Sequence, residues 1–124
     1  YLAKYNIDAN KVSGYLLGGG QPTSHFNILR EKGFDTKSVI IDDSAPIYHV
    51  SENGAPLQIL VSEQDKENRM EQTRLLYSTL KHFEYSADID YRELKGGHCS
   101  YFHPNENGKI ELVDIASEFI FNQT

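Results

Sequence analysis

Residues 56–62, PLQILVS, are the clearest strand in the chain, mostly apolar and set between Gly54-Ala55 and the polar stretch EQDKEN. The period then changes. Across residues 66–83, Met70, Thr73, Tyr77 and Leu80 fall on one helical face, widened by Leu76 and Phe83. Residues 89–94, IDYREL, alternate apolar and polar as a strand should, and Gly96 and Gly97 end that stretch. Strand, helix and strand in immediate succession call for a crossover connection and a parallel pair of strands.

The alternation extends both ways. Residues 11–17, KVSGYLL, read as a short strand ending at the glycine turn Gly18-Gly19-Gly20. Pro22, Thr23 and Ser24 open a short helix running to about Arg30, with Gly33 placed as its C′ residue. Residues 38–41, SVII, are cut off by Asp42, Asp43, Ser44 and Pro46 and read as irregular. After a polar loop at 102–108, Leu112, Ile115, Ala116, Phe119 and Ile120 mark the apolar stripe of a last helix. The expected class is α/β, a three-layer αβα sandwich on a parallel sheet.

Three strands make a small sheet, and the strand around Val12 would leave an open apolar edge, a pairing hazard. The chain also begins at Tyr1 rather than Met. Both features lead to the expectation that residues 1–124 are a single partial domain from a longer chain, with self-association through the exposed sheet edge. Any targeting signal would lie upstream, so localisation is not legible.

Composition narrows the partners. A net charge of −6 argues against nucleic acid or an anionic membrane surface, which call for a basic face. No apolar run approaches the length of a membrane-spanning helix. Cys99 is the one cysteine, so no intrachain disulfide can form.

Two residues carry a chemical signal. Asp65 directly follows the strand at 56–62, and His98 follows the next strand on the loop Gly96-Gly97-His98-Cys99. Functional groups in α/β folds gather at the carboxyl ends of strands. Taken singly, Asp65 is as readily a helix N-cap and His98 an ordinary loop histidine. If the strands are adjacent and parallel, both side chains leave the same sheet edge, where a carboxylate can orient a histidine as general base. The order acid then histidine is that of the α/β-hydrolases.

No G-x-S-x-G elbow occurs in the chain. Ser13 precedes Gly14 without a glycine two residues before it, and Ser24 sits where a helix cap is expected, so neither is read as the nucleophile. A Cys99–His98 dyad would need adjacent side chains to face each other. His98, Cys99 and His103 on one loop, without a Cys-x-x-Cys pair, are a weak metal signal. No metal or other cofactor is expected. His25 and His49 have no evident partners, and His82 ends a helix, where a surface position is expected. Gly18-Gly19-Gly20 matches no phosphate-binding pattern and reads as a turn. Asp42-Asp43 reads as a solvated loop, and Arg69, Gln72 and Arg74 as exposed helix residues.

The stretch LQILVSEQDKENRMEQTRLLYSTLKHF, followed by IDYRELKGGHCSYFHP, resembles the closing part of esterase- and lipase-type α/β-hydrolases. NKVSGYLLGGG, with ILREKGFD and SAPIYHV after it, resembles the stretch beyond the nucleophile helix in acetyl-esterase-like members. The resemblance covers nearly the whole chain. It implies Asp65 as the catalytic acid and His98 as the general base. It also implies that the strands are the last three of a larger sheet, the C-terminal half of the fold. The nucleophile and oxyanion loop would lie upstream, with the elbow roughly 10–20 residues before Tyr1, about one mean helix and a turn. The activity so implied is hydrolysis of a small-molecule carboxylic ester by a serine mechanism, with the chain alone inactive. The alternatives are a prolyl-oligopeptidase-like serine peptidase and a non-catalytic binding or assembly domain.

Overall fold

The computed structural model describes residues 2–124; Tyr1, whose identity bore on the reading of the chain's start, lies outside the described residues. Strands β1 (Tyr15–Gly18), β2 (Leu57–Gln64) and β3 (Ile89–Gly97) form one sheet in the order β1-β2-β3, parallel throughout. The α-helices are α1 (Phe26–Glu31), α2 (Arg69–His82) and α3 (Glu111–Asn122). Short 3-10 turns occupy Leu2–Tyr5, Ala9–Lys11, Pro46–His49 and Ser100–Phe102.

The central strand explains the architecture. Residues 57–62 are all buried. Leu57 and Ile59 pack with Ala45, Ile47 and with Leu76 and Leu80 of α2. Leu60 points the other way, onto Tyr101 and Ile115 of α3. Side chains alternate along a strand, so this one strand feeds two cores, with a helix over each face. Burial of a Leu or Ile side chain is worth about 1.5–3 kcal/mol, and β2 supplies such residues to both cores. The three-layer αβα reading holds.

Several boundaries move for local reasons. β1 starts at Tyr15, not near Lys11, and Val12 is outside the sheet. The Asp8 carboxylate accepts the Asn10 N–H and the Tyr15 hydroxyl donates to the Ala9 carbonyl, which commits residues 9–11 to a turn. The open edge is therefore Leu16 and Leu17, 45% and 40% exposed. Helix α1 opens at Phe26 with His25 as N-cap, its Nδ1 accepting the Asn27 N–H; Ser24 does not cap it. Gly33, at φ +78°, is the expected C′ residue: its N–H reaches the Arg30 carbonyl and the Phe34 N–H reaches that of Leu29.

Helix α2 starts at Arg69 and is rotated from the expected face. Arg69, Thr73, Leu76 and Leu80 are its buried residues, while Phe83 is half-exposed. Tyr77 is drawn toward β3 instead of β2, stacking on Tyr91 at 4.4 Å between ring centres. Arg69 contradicts its expected exposure: it is buried, and its guanidinium donates to the Gly19 carbonyl. Gln72 is half-buried and accepts the Thr23 hydroxyl at 2.9 Å. Arg74 is exposed as expected and forks onto both Glu93 oxygens at 2.7 and 2.8 Å. On α3 the stripe narrows to buried Ile115 and Phe119, with Ile120 half-exposed.

Candidate active site

The register of β2 on β3 sets the site. Pairing runs from Leu57 opposite Ile89 to Ser62 opposite Leu94, slips once, and resumes with Gln64 opposite Gly97. The next residues along each strand, Asp65 and His98, therefore leave the sheet side by side at its carboxyl edge. Asp65 Oδ1 lies 2.6 Å from His98 Nδ1. The Asp65 side chain is 1% exposed and the His98 side chain 34%.

Asp65 is not the N-cap of α2. That position belongs to Asn68, in the left-handed region at φ 61°, and no side chain caps the helix. Asp65 instead closes a tight turn: its N–H reaches the Ser62 carbonyl at 3.2 Å, and Oδ1 accepts the Lys66 N–H at 2.7 Å. Oδ2 is buried with no hydrogen-bond partner among the described residues.

The contact fixes the imidazole chemically. An ionised carboxylate only accepts, so the proton at a neutral His98 sits on Nδ1 and is donated to Asp65. Nε2 then carries the free lone pair, the form a general base needs. Among the described residues no serine or threonine hydroxyl lies within hydrogen-bond distance of His98; besides Asp65, its side-chain contact is Cys99.

Two glycines make room for this arrangement. Gly19, at φ +58°, ends β1 against the imidazole: a Cβ there would lie 2.5 Å from Cys99 Sγ and 3.3 Å from His98 Cε1. Gly96, at φ +101°, turns the end of β3 where a Cβ would meet Ser100 Oγ at 2.5 Å. Below the loop, Tyr101 is buried and its hydroxyl is 3.5 Å from the Leu60 carbonyl. Burial, then the adjacent Cys99, pushes the Tyr101 phenol well above its usual range, so it stays a neutral anchor.

The competing assignments can be placed on the same geometry. Cys99 Sγ touches the ring, 3.7 Å from Nε2 and 3.9 Å from Nδ1. A thiol aligned with the Nε2 lone pair would lie much farther from Nδ1 than from Nε2, so the sulfur is off the line a Cys–His dyad requires. Among the described residues no three His, Cys, Asp or Glu side chains converge as a metal site. His103 lines a separate cavity with Lys95 and Lys109.

Ser13 is exposed in the bend before β1. Ser24 is fully buried and donates to Asp42 Oδ1 at 2.8 Å. Asp42 is no solvated loop residue: Lys32 Nζ lies 2.8 Å from Oδ2, and Ser44 donates to Oδ1 through both hydroxyl and N–H. Lys32 foremost, then Ser44 and Ser24, hold the Asp42 carboxyl far below its usual range, which makes it too weak a base to activate Ser24. His49 Nε2 pairs with the Asp43 carbonyl at 2.7 Å, and His82 is exposed at the end of α2.

Sequence reasoning missed Gly19, Arg69 and Tyr101 as neighbours or supports of the site. The glycine run marked a turn, but nothing in it says which glycine meets the histidine. Arg69 and Tyr101 sit where charge or loop position argues for solvent, and only the tertiary packing reverses that.

No protein-family model matches the sequence, and no curated protein matches it. Among solved structures, this chain is similar to Thermogutta terrifontis esterase 2 phosphoramylated by tabun, with a TM-score of 0.62 and 19% sequence identity. The match covers 90% of this chain and 42% of that one, so this chain spans less than half the length of the esterase. The likeness shows the fold alone: part of the α/β-hydrolase fold.

Proposed function

From the premise that the chain carries part of an α/β-hydrolase fold, we propose that it supplies the acid and the histidine of a serine-type carboxylic-ester hydrolase. The observation that carries this reading is the 2.6 Å contact between buried Asp65 and His98 at the carboxyl ends of adjacent parallel strands. The nucleophilic serine and the oxyanion donors come from outside these 124 residues, since no G-x-S-x-G elbow is among them. The substrate is a small-molecule ester, and no cofactor takes part.

In this mechanism His98 Nε2 takes the proton of the serine hydroxyl as its oxygen attacks the ester carbonyl. Asp65 stabilises the imidazolium that forms, through the Nδ1–H it already accepts. The imidazolium then protonates the departing alkoxide, leaving an acyl-serine. Water attacks the acyl group with Nε2 again as base, releasing the acid and restoring the serine. A positioned base of this kind contributes about 10²–10⁴ in rate. Without serine and oxyanion donors, the 124-residue chain does not turn over esters.

The test is hydrolysis of a short-chain p-nitrophenyl ester by the full-length gene product. Wild-type protein should turn the ester over, and His98→Ala should abolish turnover. A His98→Ala protein with wild-type activity overturns the assignment. The absence of a hydroxyl partner for His98 among the described residues favours one other reading, a non-catalytic binding or assembly domain. A full-length protein inert toward esters and untouched by a fluorophosphonate would select it.

A further inference from the structure

We infer that a pocket on the carboxyl-end rim of the sheet, between α1, the loop after β2 and the first turn of α2, binds an oxyanion: a carboxylate or phosphate group. The pocket measures about 620 Å³ and is lined by Lys37, Lys66, Arg69, Gln21 and Gln72, with Glu67 the acidic residue among them. Three cations against one carboxylate run counter to a chain whose net charge is −6. A concave wall focuses that local field on whatever enters.

Arg69 carries the argument. It is 8% exposed, and one of its nitrogens donates to the Gly19 carbonyl. Its other guanidinium nitrogens make no hydrogen bond within the described residues and are not among the buried atoms that lack a partner, so they face the solvent of the pocket. A guanidinium has five N–H donors in a planar fork. An anion entering the pocket would replace solvent at these N–H groups with charge-assisted hydrogen bonds. The fork matches the spacing of carboxylate and phosphate oxygens. The first turn of α2, at Asn68 and Arg69, adds the positive end of its helix dipole to the same wall. Gln72, whose oxygen accepts the Thr23 hydroxyl, keeps its amide NH2 as a donor beside it, while the Gln21 amide is spent on Thr23 and Ser24.

If the esterase reading holds, this rim is where an acidic substituent of the substrate would rest, since Lys66 directly follows Asp65. Anion binding itself does not depend on that reading and needs no turnover.

The experiment is a titration of the 15N-labelled chain with inorganic phosphate at constant ionic strength, followed by amide shifts. Saturable shifts are expected at residues 37–39 and 66–72. Arg69→Met would remove the centre of the site but also the Gly19 contact, so the exposed pair Lys37→Glu/Lys66→Glu carries the comparison. That double variant, with the His98 region of its spectrum unchanged, should bind phosphate about tenfold more weakly or worse. Shifts that fail to saturate, shifts reproduced by chloride alone, or equal binding by the double variant would overturn the proposal.

Discussion

Gly19→Ala probes how closely the end of β1 is fitted to the candidate site. The backbone there is left-handed, φ +58°, a conformation that costs a non-glycine residue about 1–2 kcal/mol. The new methyl would also lie 2.5 Å from Cys99 Sγ, well inside contact distance. Overpacking of this kind costs about 1–3 kcal/mol once neighbours shift. Urea unfolding should therefore show Gly19→Ala destabilised by about 2–5 kcal/mol. Cys99→Ala removes the sulfur and with it the clash, whereas the backbone cost stays. A double-mutant cycle of Gly19→Ala and Cys99→Ala should then return about 1–3 kcal/mol as coupling energy. The single mutant should also displace the imidazole, since the methyl would stand 3.3 Å from His98 Cε1. A Gly19→Ala cost below about 0.5 kcal/mol, or a double mutant that is merely additive, would refute the packing described here.

Asp65→Asn in the full-length protein should cut ester hydrolysis by about 10⁴, because an amide can hold the wrong imidazole tautomer; unchanged kcat/KM would exclude Asp65 as the orienting acid. Glu93 is held at about 2, below its ordinary 4.5, by Arg74 first and then by the Tyr91 hydroxyl. A depressed folded-state value means its contribution is complete above pH 4.5 and is lost as pH falls toward 2, so urea midpoints should drop through that window more steeply in wild type than in Glu93→Gln. The exposed β1 edge, with Leu16 and Leu17 uncovered on opposite faces, is proposed to pair with a second copy. Light scattering should find the isolated chain self-associated and Leu17→Lys shifted toward monomer, and a monodisperse wild-type monomer at high concentration would contradict this.

The parts of the fold that were legible in the sequence are those where one residue class has one place to go. The stretch at 56–62 reads as the clearest strand, and the structure buries it on both faces; the next strand reads as ending before the glycines, but it runs on through Gly96 to Gly97. Parallel pairing of neighbouring strands then brought Asp65 and His98 to one edge, as their positions implied. What was not legible depends on polar groups that find partners across the fold. Arg69 was assigned to solvent on its charge, yet the Gly19 carbonyl draws it inside. Asp42 looked like part of a solvated acidic pair, yet Lys32, Ser24 and Ser44 converge on it. Ser24 was placed as a helix cap, and His25 took that role once the Ser24 hydroxyl was committed to Asp42. Such exchanges between equivalent hydrogen bonds are decided by tertiary contacts, and local propensity does not rank them. Tyr77 is similar: its ring left the expected face for Tyr91, on a strand that the helical period does not describe.

The central claim is that Asp65 holds His98 with its proton on Nδ1 and its lone pair on Nε2. Long-range 1H–15N NMR of the histidine side chains, recorded above neutral pH, reads this directly. The account predicts for His98 a protonated Nδ1, its proton shifted downfield and lost in Asp65→Asn, and an unprotonated Nε2. A His98 protonated on Nε2, or one whose tautomer is the same with and without the Asp65 carboxylate, would contradict it.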